Sequence, residues 1–181
     1  MKHRHIELKP ALLLKENVNL FLESPLKVPV LDLACGIGRN GIFLAQKGLD
    51  VVLCDRSAQA LQEAGHLAQK KHVTVDLRQV DLELEGVNPL PVDAYRGIVV
   101  FSYLHRPLIG CIKKAIRQHG FLIYETFTVH QSSFGKPSNP NFLLKPGELF
   151  GWFRQWKIIH SFEGKLDNPP RFVAQLVCQK P

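Results

Sequence analysis

Short apolar runs alternate with amphipathic stretches along most of the chain, and the two periods separate cleanly into strand and helix candidates. Val28–Leu33 is a strand candidate that ends at a glycine-rich turn, and residues 39–47 have a helical period stopped by Gly48. Asp50–Cys54 is a second strand, and Ser57 is placed to cap a helix that gathers Leu61, Ala64 and Ala68 on one face. Val73–Leu77 and Gly97–Phe101 read as the third and fourth strands. Pro107 suits the first turn of a helix in which Leu108, Ile112, Ala115 and Ile116 share a face, with Gly120 as its end and Phe121–Tyr124 as a fifth strand. Strand and helix in this succession imply right-handed crossovers and a parallel sheet covered on both faces. The rhythm breaks at the end: Trp156–Phe162 and Arg171–Cys178 flank a turn-rich stretch, Glu163–Pro170, with no helix between them. They are expected to add an antiparallel pair to one edge. Pro10–Leu22 forms a helix within a short N-terminal helical extension, residues 1–27.

Residues 126–145 have neither period and are rich in Ser, Asn, Pro and Gly. Such a stretch in a compact domain is a functional loop or disorder. Because it follows the fifth strand, where open parallel sheets place ligands, it is expected to be an active-site lid. No repeat or linker divides residues 1–181, so a single domain is expected.

Charge and cysteine content narrow the picture further. The 181 residues carry a net charge of +7, but the charge is spread: residues 1–27 hold five basic and three acidic groups, and residues 145–181 hold six and three. No basic block or stripe marks a nucleic-acid site, and spread charge reads as a solvated surface. Cys35, Cys54, Cys111 and Cys178 form no C-x-x-C pair, which favours reduced thiols over disulfides or zinc. The histidines offer no ligand set, and His3-x-His5 stands alone near the start, so no metal is expected. Apolar runs such as Ile98–Phe101 are far shorter than the ~20 residues of a membrane span. No apolar segment follows the basic residues Met1–His5 as a secretory signal requires, and the chain reads as cytoplasmic.

The turn after the first strand carries the chemistry. Gly36-Ile-Gly38-Arg-Asn-Gly41 is a G-x-G-x-x-G between a strand and a helix, and Asp55 closes the second strand nineteen residues beyond Gly36. That spacing fits a dinucleotide fingerprint with the acid on ribose hydroxyls, or else a tight strand-to-helix turn without a ligand. Asp32, four residues before Gly36, opposes a pyrophosphate at the helix N-terminus. It suits a ligand with an ammonium and a sulfonium, or it caps loop amides. Together with the antiparallel C-terminal pair, it points to S-adenosylmethionine.

Val30-Leu-Asp-Leu-Ala-Cys-Gly-Ile-Gly38 resembles motif I of class I S-adenosylmethionine-dependent methyltransferases, and Asp55 and Val80-Asp81-Leu82 match that superfamily's later cofactor positions. Tyr103-Leu-His-Arg-Pro107, Tyr124-Glu-Thr-Phe127, Gly135-Lys-Pro137, Asn139-Pro140, Phe142-Leu-Leu144 and Pro146-Gly-Glu-Leu149 resemble the bacterial tellurite-resistance-like methyltransferase group, whose members need not share one acceptor. The resemblance implies a Rossmann-like, mostly parallel seven-stranded sheet of α/β class, with helices on both faces and a C-terminal antiparallel strand pair. It also implies that Ala34, Cys35, Gly36 and Gly38 hold the methionine portion of the cofactor above Asp32. Asp55 would take the ribose hydroxyls, Asp81 the adenine amino group, and Leu82 would lie beside the ring. Arg56 either packs along the adenine or is solvated, and Asp81 has the plain alternative of an exposed loop acid.

Methyl transfer from S-adenosylmethionine asks the protein to orient an acceptor and exclude water, with a general base optional. Phe101-Ser-Tyr-Leu-His-Arg106 ends the fourth strand, facing the cofactor methyl in the layout the resemblance implies. His105 is the candidate base, or a helix cap; Tyr103 would shape the acceptor pocket, and Arg106 would bind an anionic acceptor. Glu125 and Thr126 form the opposite lip, with His130 and Arg171 as weaker candidates. Asn168-Pro-Pro170 has the letters of the N-P-P motif of amino-group methyltransferases, but it lies in the final turn rather than after strand four. The expectation is a methyltransferase for a small-molecule acceptor, an oxyanion or a thiol-like nucleophile. The alternatives are an NAD-dependent oxidoreductase and a non-catalytic methyltransferase-like module that binds RNA or protein.

Overall fold

A computed structural model describes residues 9–181, so His3 and His5 lie outside the described residues. Seven strands form one sheet: β1 (Val30–Leu33), β2 (Val51–Asp55), β3 (Asp76–Gln79), β4 (Tyr95–Phe101), β5 (Ile116–Phe127), β6 (Lys157–Asp167) and β7 (Pro170–Gln179). Their order is β3-β2-β1-β4-β5-β7-β6. The first five pair in parallel, and β7 inserts antiparallel between β5 and β6. This is the seven-stranded, mostly parallel sheet with an antiparallel C-terminal pair that the sequence predicted.

The helices are α1 (Leu12–Asn17), α2 (Asn19–Leu22), α3 (Arg39–Gln46), α4 (Ala58–Lys70), α5 (Ile109–Ala115) and α6 (Glu148–Phe153). Strand alternation sorts the core onto two faces. Leu31, Leu33, Ile98, Val100 and Leu122 pack against α5 and α6 through Ile112 and Phe153. Val30, Leu53, Val99, Phe101 and Ile123 pack on the other face against Phe21, Ile42, Leu61 and Ala64 from α2, α3 and α4. β1 and β4 are buried at every residue, as central strands covered on both faces are, whereas the edge strand β3 is exposed throughout.

Several boundaries differ from the sequence reading. The third strand begins at Asp76 rather than Val73, because Val73 and Val75 pack against the core in an irregular approach to the sheet. The fifth helix stops at Ala115, and Ile116 already pairs with Tyr95, so β5 is far longer than expected. Gly120 is consequently a strand residue, where a Cβ would lie 2.7 Å from the Arg96 carbonyl oxygen. Glu163–Asp167, expected as part of a turn, continues β6 and leaves only a two-residue connection to β7. Ser57 caps α4 as expected, accepting the Ala60 amide at 3.1 Å.

Residues 126–145 are more ordered than their composition implies. Two 3-10 turns, Val129–Ser133 and Pro140–Phe142, occupy them. Gln131 is buried, accepts the Phe172 amide at 2.8 Å and donates to the Lys136 carbonyl at 3.1 Å. His130 and Phe134 both lie against the Phe172 ring.

Candidate functional site

Strand order reverses between β1, which is followed by β2, and β4, which lies on its other side, and the crevice above that reversal is where an open α/β sheet binds ligands. Here Ala34 just after β1, Asp55 at the end of β2 and Ser102 just after β4 line one cleft of about 310 Å³. That volume is at the lower end of the ~300–1,000 Å³ usual for small-molecule sites. Ala34 and Ser102 both hold positive φ, 54° and 57°, a conformation uncommon for residues with a Cβ and one that clusters at ligand sites.

Two glycines of the turn have separate reasons. Gly36 has a φ of +55°, and a Cβ built on it would meet no protein atom within 4 Å, so its front is open. Gly41 instead lies against the sheet: a Cβ there would come within 2.1 Å of Leu53 Cδ2 and 3.1 Å of the Asp32 side chain.

Carboxylates surround this turn. Asp32 is 2% exposed and accepts the Gly41 amide at 2.7 Å, satisfying a donor of the first turn of α3. The alternative role of amide capping is therefore realised, and burial pushes the Asp32 carboxyl up to about 7. Asp55 accepts the Gly36 amide at 2.8 Å and the Ser57 amide at 2.9 Å, one on each oxygen. Asp81 closes a small turn by accepting the Glu83 amide at 2.9 Å. Asp55, Asp81 and Glu83 all line the cleft, with Arg56 as its single basic residue among the described residues. On a chain of net charge +7, this is a locally acidic pocket.

Leu82 and Tyr103 also line the cleft. Phe101 is buried in the core beneath it. Cys35 donates its amide to the Cys54 carbonyl at 3.0 Å, and burial raises its thiol well above the usual range. The neighbouring Cys54 thiol is pushed up to about 11, again by burial, which disfavours the thiolate at both sulfurs. Sequence reasoning missed Ser102, Glu83, Phe127 and Phe142 as cleft residues. The first three follow or end strands four, three and five, so strand-end position was the available signal; Phe142 arrives through a loop and had none beyond its place in a motif.

The candidate catalytic residues fall in four places, and of them only Tyr103 lines the cleft. Tyr103 faces the cleft with its hydroxyl 3.4 Å from Glu83 Oε1, and burial raises its phenol. His105 lines an adjacent cavity beyond Leu82 and Glu83, and its side chain makes no helix-capping bond. Arg106 is committed elsewhere: Nε and Nη2 bind both oxygens of Glu148 at 2.7 and 2.9 Å, and Nη1 and Nη2 bind the carbonyls of Asn141 and Leu143 at 3.1 and 2.9 Å. With its donors used in this way, Arg106 is a structural clamp rather than an open anion receptor. Glu125 is 8% exposed and receives Arg171 at 3.2 Å and the Gln175 amide at 2.6 Å, both from β7. Among the described residues no group of three His, Cys, Asp or Glu is gathered to hold a metal, and no helix is long and apolar enough to cross a membrane.

Comparison with known proteins agrees with this geometry. The chain is 25% identical over 143 residues to "Probable S-adenosyl-L-methionine-dependent methyltransferase TehB" of Haemophilus influenzae, covering 77% of this chain and 49% of that protein. It is 25% identical over 130 residues to the tRNA 5-carboxymethoxyuridine methyltransferase of Escherichia coli K12, covering 68% and 50%. The chain thus spans about half the length of these relatives. The crystal structure of TehB from Haemophilus influenzae shares the fold, with a TM-score of 0.72 at 21% identity over 92% of this chain and 62% of that one. The family model described as "Methyltransferase domain" matches residues 30–120, half of the chain, from the first residue of β1 to the middle of β5, and the protein belongs to that methyltransferase-domain family.

Proposed function

We propose that the protein is an S-adenosylmethionine-dependent methyltransferase acting on a small-molecule acceptor. The observation that carries this reading is the acidic cleft beside the glycine turn: it is lined by Asp55, Asp81 and Glu83, and Asp55 accepts the amide of Gly36, where a Cβ would meet no protein atom. An ammonium and a sulfonium are stabilised by such a field, and a pyrophosphate is repelled by it. The residues therefore fit S-adenosylmethionine and disfavour a dinucleotide. When bound, that cofactor supplies an electrophilic methyl group together with its own leaving group.

The chain's residues bind and orient. The Ala34–Gly38 loop would hold the methionine portion, Asp55 the ribose hydroxyls, and Asp81 and Leu82 the adenine. Asp55 is already oriented by two amides, so little reorganisation is needed at binding. Phe127, Pro137 and Phe142 wall the cleft on the lid side and would limit the access of water. Tyr103 and Phe127 border the cleft, and the Glu125–Arg171 pair, which is not among its lining residues, would form a lip beyond Phe127 where a small oxyanion or thiol-like acceptor approaches.

A thermal-shift series tests the cofactor. At about 100 times its dissociation constant a native-state ligand adds ~2.7 kcal/mol, so S-adenosylmethionine or S-adenosylhomocysteine should raise Tm clearly and NAD should not. A shift with NAD alone would overturn the reading. An acceptor screen with radiolabelled S-adenosylmethionine, with bulk tRNA beside small oxyanions and thiols, tests the second half. Label transfer to tRNA alone would replace the small-molecule acceptor.

A further inference from the structure

Phe142 lines the cleft and yet is 50% exposed, so core burial does not fix its position. A single side chain binds the backbone on either side of it. Arg106 donates to the carbonyls of Asn141 and Leu143, the residues immediately before and after Phe142. Its remaining reach is taken by the bidentate pair with Glu148, whose Oε2 also accepts the Lys145 amide at 2.8 Å. Asn139 completes the turn by accepting the Asn141 amide at 3.0 Å. The next residues, Leu143 and Leu144, are buried, and Leu144 exchanges backbone hydrogen bonds with Phe127 and Val129.

Arg106 also stands just beyond the other side of the cleft. Ser102, Tyr103 and Leu104, two to four residues earlier at the same strand end, supply cleft-lining groups from the floor. One arginine therefore ties the segment that follows the Ser102–Leu104 lining to the turn that carries Phe142. We propose that Arg106, held by Glu148, is a positioning residue for cofactor binding: it sets the distance between the Ser102–Leu104 floor and Phe142. This rests on the cofactor reading above. The role is specific to arginine, because a lysine ammonium can pair with Glu148 but cannot bind a carboxylate and two flanking carbonyls from one planar fork.

The test is a binding cycle on the full chain, with S-adenosylhomocysteine as the probe in calorimetry and Tm measured on the same preparations. Wild type, R106K, F142A and the double variant are compared well below the lowest Tm. Loss of one aromatic contact weakens binding by about tenfold, which is the effect expected for F142A and for R106K. The double variant should bind no worse than F142A alone, because Arg106 acts through Phe142. A merely structural arginine predicts otherwise: losses that multiply in the double variant, or R106K binding with wild-type affinity at a lowered Tm. Either result overturns the proposal, as does F142A binding normally. If R106K does not fold, E148Q, which keeps an acceptor for Arg106 but loses its charge, takes its place in the same cycle with the same criteria. Wild type failing to bind the probe overturns the cofactor reading itself, whereas wild type binding with an unaffected R106K overturns only the positioning role.

Discussion

Asp32 and Gly41 are joined by a 2.7 Å hydrogen bond in which a buried carboxylate serves the amide of a helix that begins seven residues later in the chain. The bond links β1 to α3 directly, and Gly41 is close enough for it only because it has no Cβ. The same carboxyl is the one that burial pushes up to about 7, so structure and titration are coupled at one point beneath the candidate cofactor loop.

Asp32 should make stability and binding respond to pH in opposite senses. Burial pushes its carboxyl from the ordinary 3.8 up to about 7 in the folded state, so the stability it contributes is full below 3.8 and is lost as pH rises through 7. Asp32→Asn keeps an acceptor for Gly41 and removes the desolvated charge. Denaturant titrations should find the variant more stable than wild type at pH 8, with the gap shrinking by pH 5. S-adenosylhomocysteine, whose ammonium favours the ionised carboxyl, should bind wild type more weakly at pH 6 than at pH 8. A binding constant flat across that interval would separate Asp32 from the ligand.

Asp55 has two amides to satisfy before any ligand arrives. Hydrogen bonds to a charged group contribute about 1.5–3 kcal/mol each, so Asp55→Ala removes support from Gly36 as well as a ribose acceptor. S-adenosylhomocysteine affinity should fall by at least about tenfold, the equivalent of 1.4 kcal/mol, while circular dichroism remains native. Normal affinity in calorimetry would assign the ribose to another group.

Gly41→Ala sets helix propensity against packing. Alanine favours a helix interior by about 1 kcal/mol over glycine. The new methyl would meet Leu53, which is fully buried and has no free space to enter, and overpacking of this kind costs about 1–3 kcal/mol. Packing is expected to win, with a net loss near 1 kcal/mol in urea titrations; a stabilised variant would mean that Leu53 can move.

Glu125 is held by two partners from β7 and should matter for turnover more than for cofactor binding. Glu125→Gln keeps the shape and removes the charge that Arg171 and Gln175 address. Single-turnover methyl transfer to the acceptor found in the screen should drop by about 10²-fold or more if the carboxylate touches the acceptor, the lower range of general-base losses. S-adenosylhomocysteine affinity should stay unchanged. Unaltered turnover would make the pair a strand-to-strand tie.

What could be read from the chain was what local geometry decides. The strand, turn and helix from Val30 to Gln46, the stop at Gly48 and the cap at Ser57 each follow from residues within a few positions of one another. The early switch from helix to strand at Ile116 was hidden because its partner, Tyr95, lies 21 residues away. Arg106 illustrates the same limit in the site. Its motif marked it as functional, but the residues that decide its use, Glu148 and the carbonyls around Phe142, are 35 to 42 positions downstream. Gln175 escaped notice for that reason too, since nothing in the pattern of β7 ties it to Glu125.

The insertion of β7 between β5 and β6 also has a consequence for synthesis on the ribosome. The chain emerges from its N-terminus, and β1 to β5 can pair in the order they appear. β6 emerges before β7 but has no seat in the sheet until β7 occupies the edge of β5. During that interval the edges of β5 and β6 are both open to other nascent chains. Arg171 and Gln175 arrive on the same late strand, so the partners of Glu125 are supplied after the glycine turn and its carboxylates already stand in place.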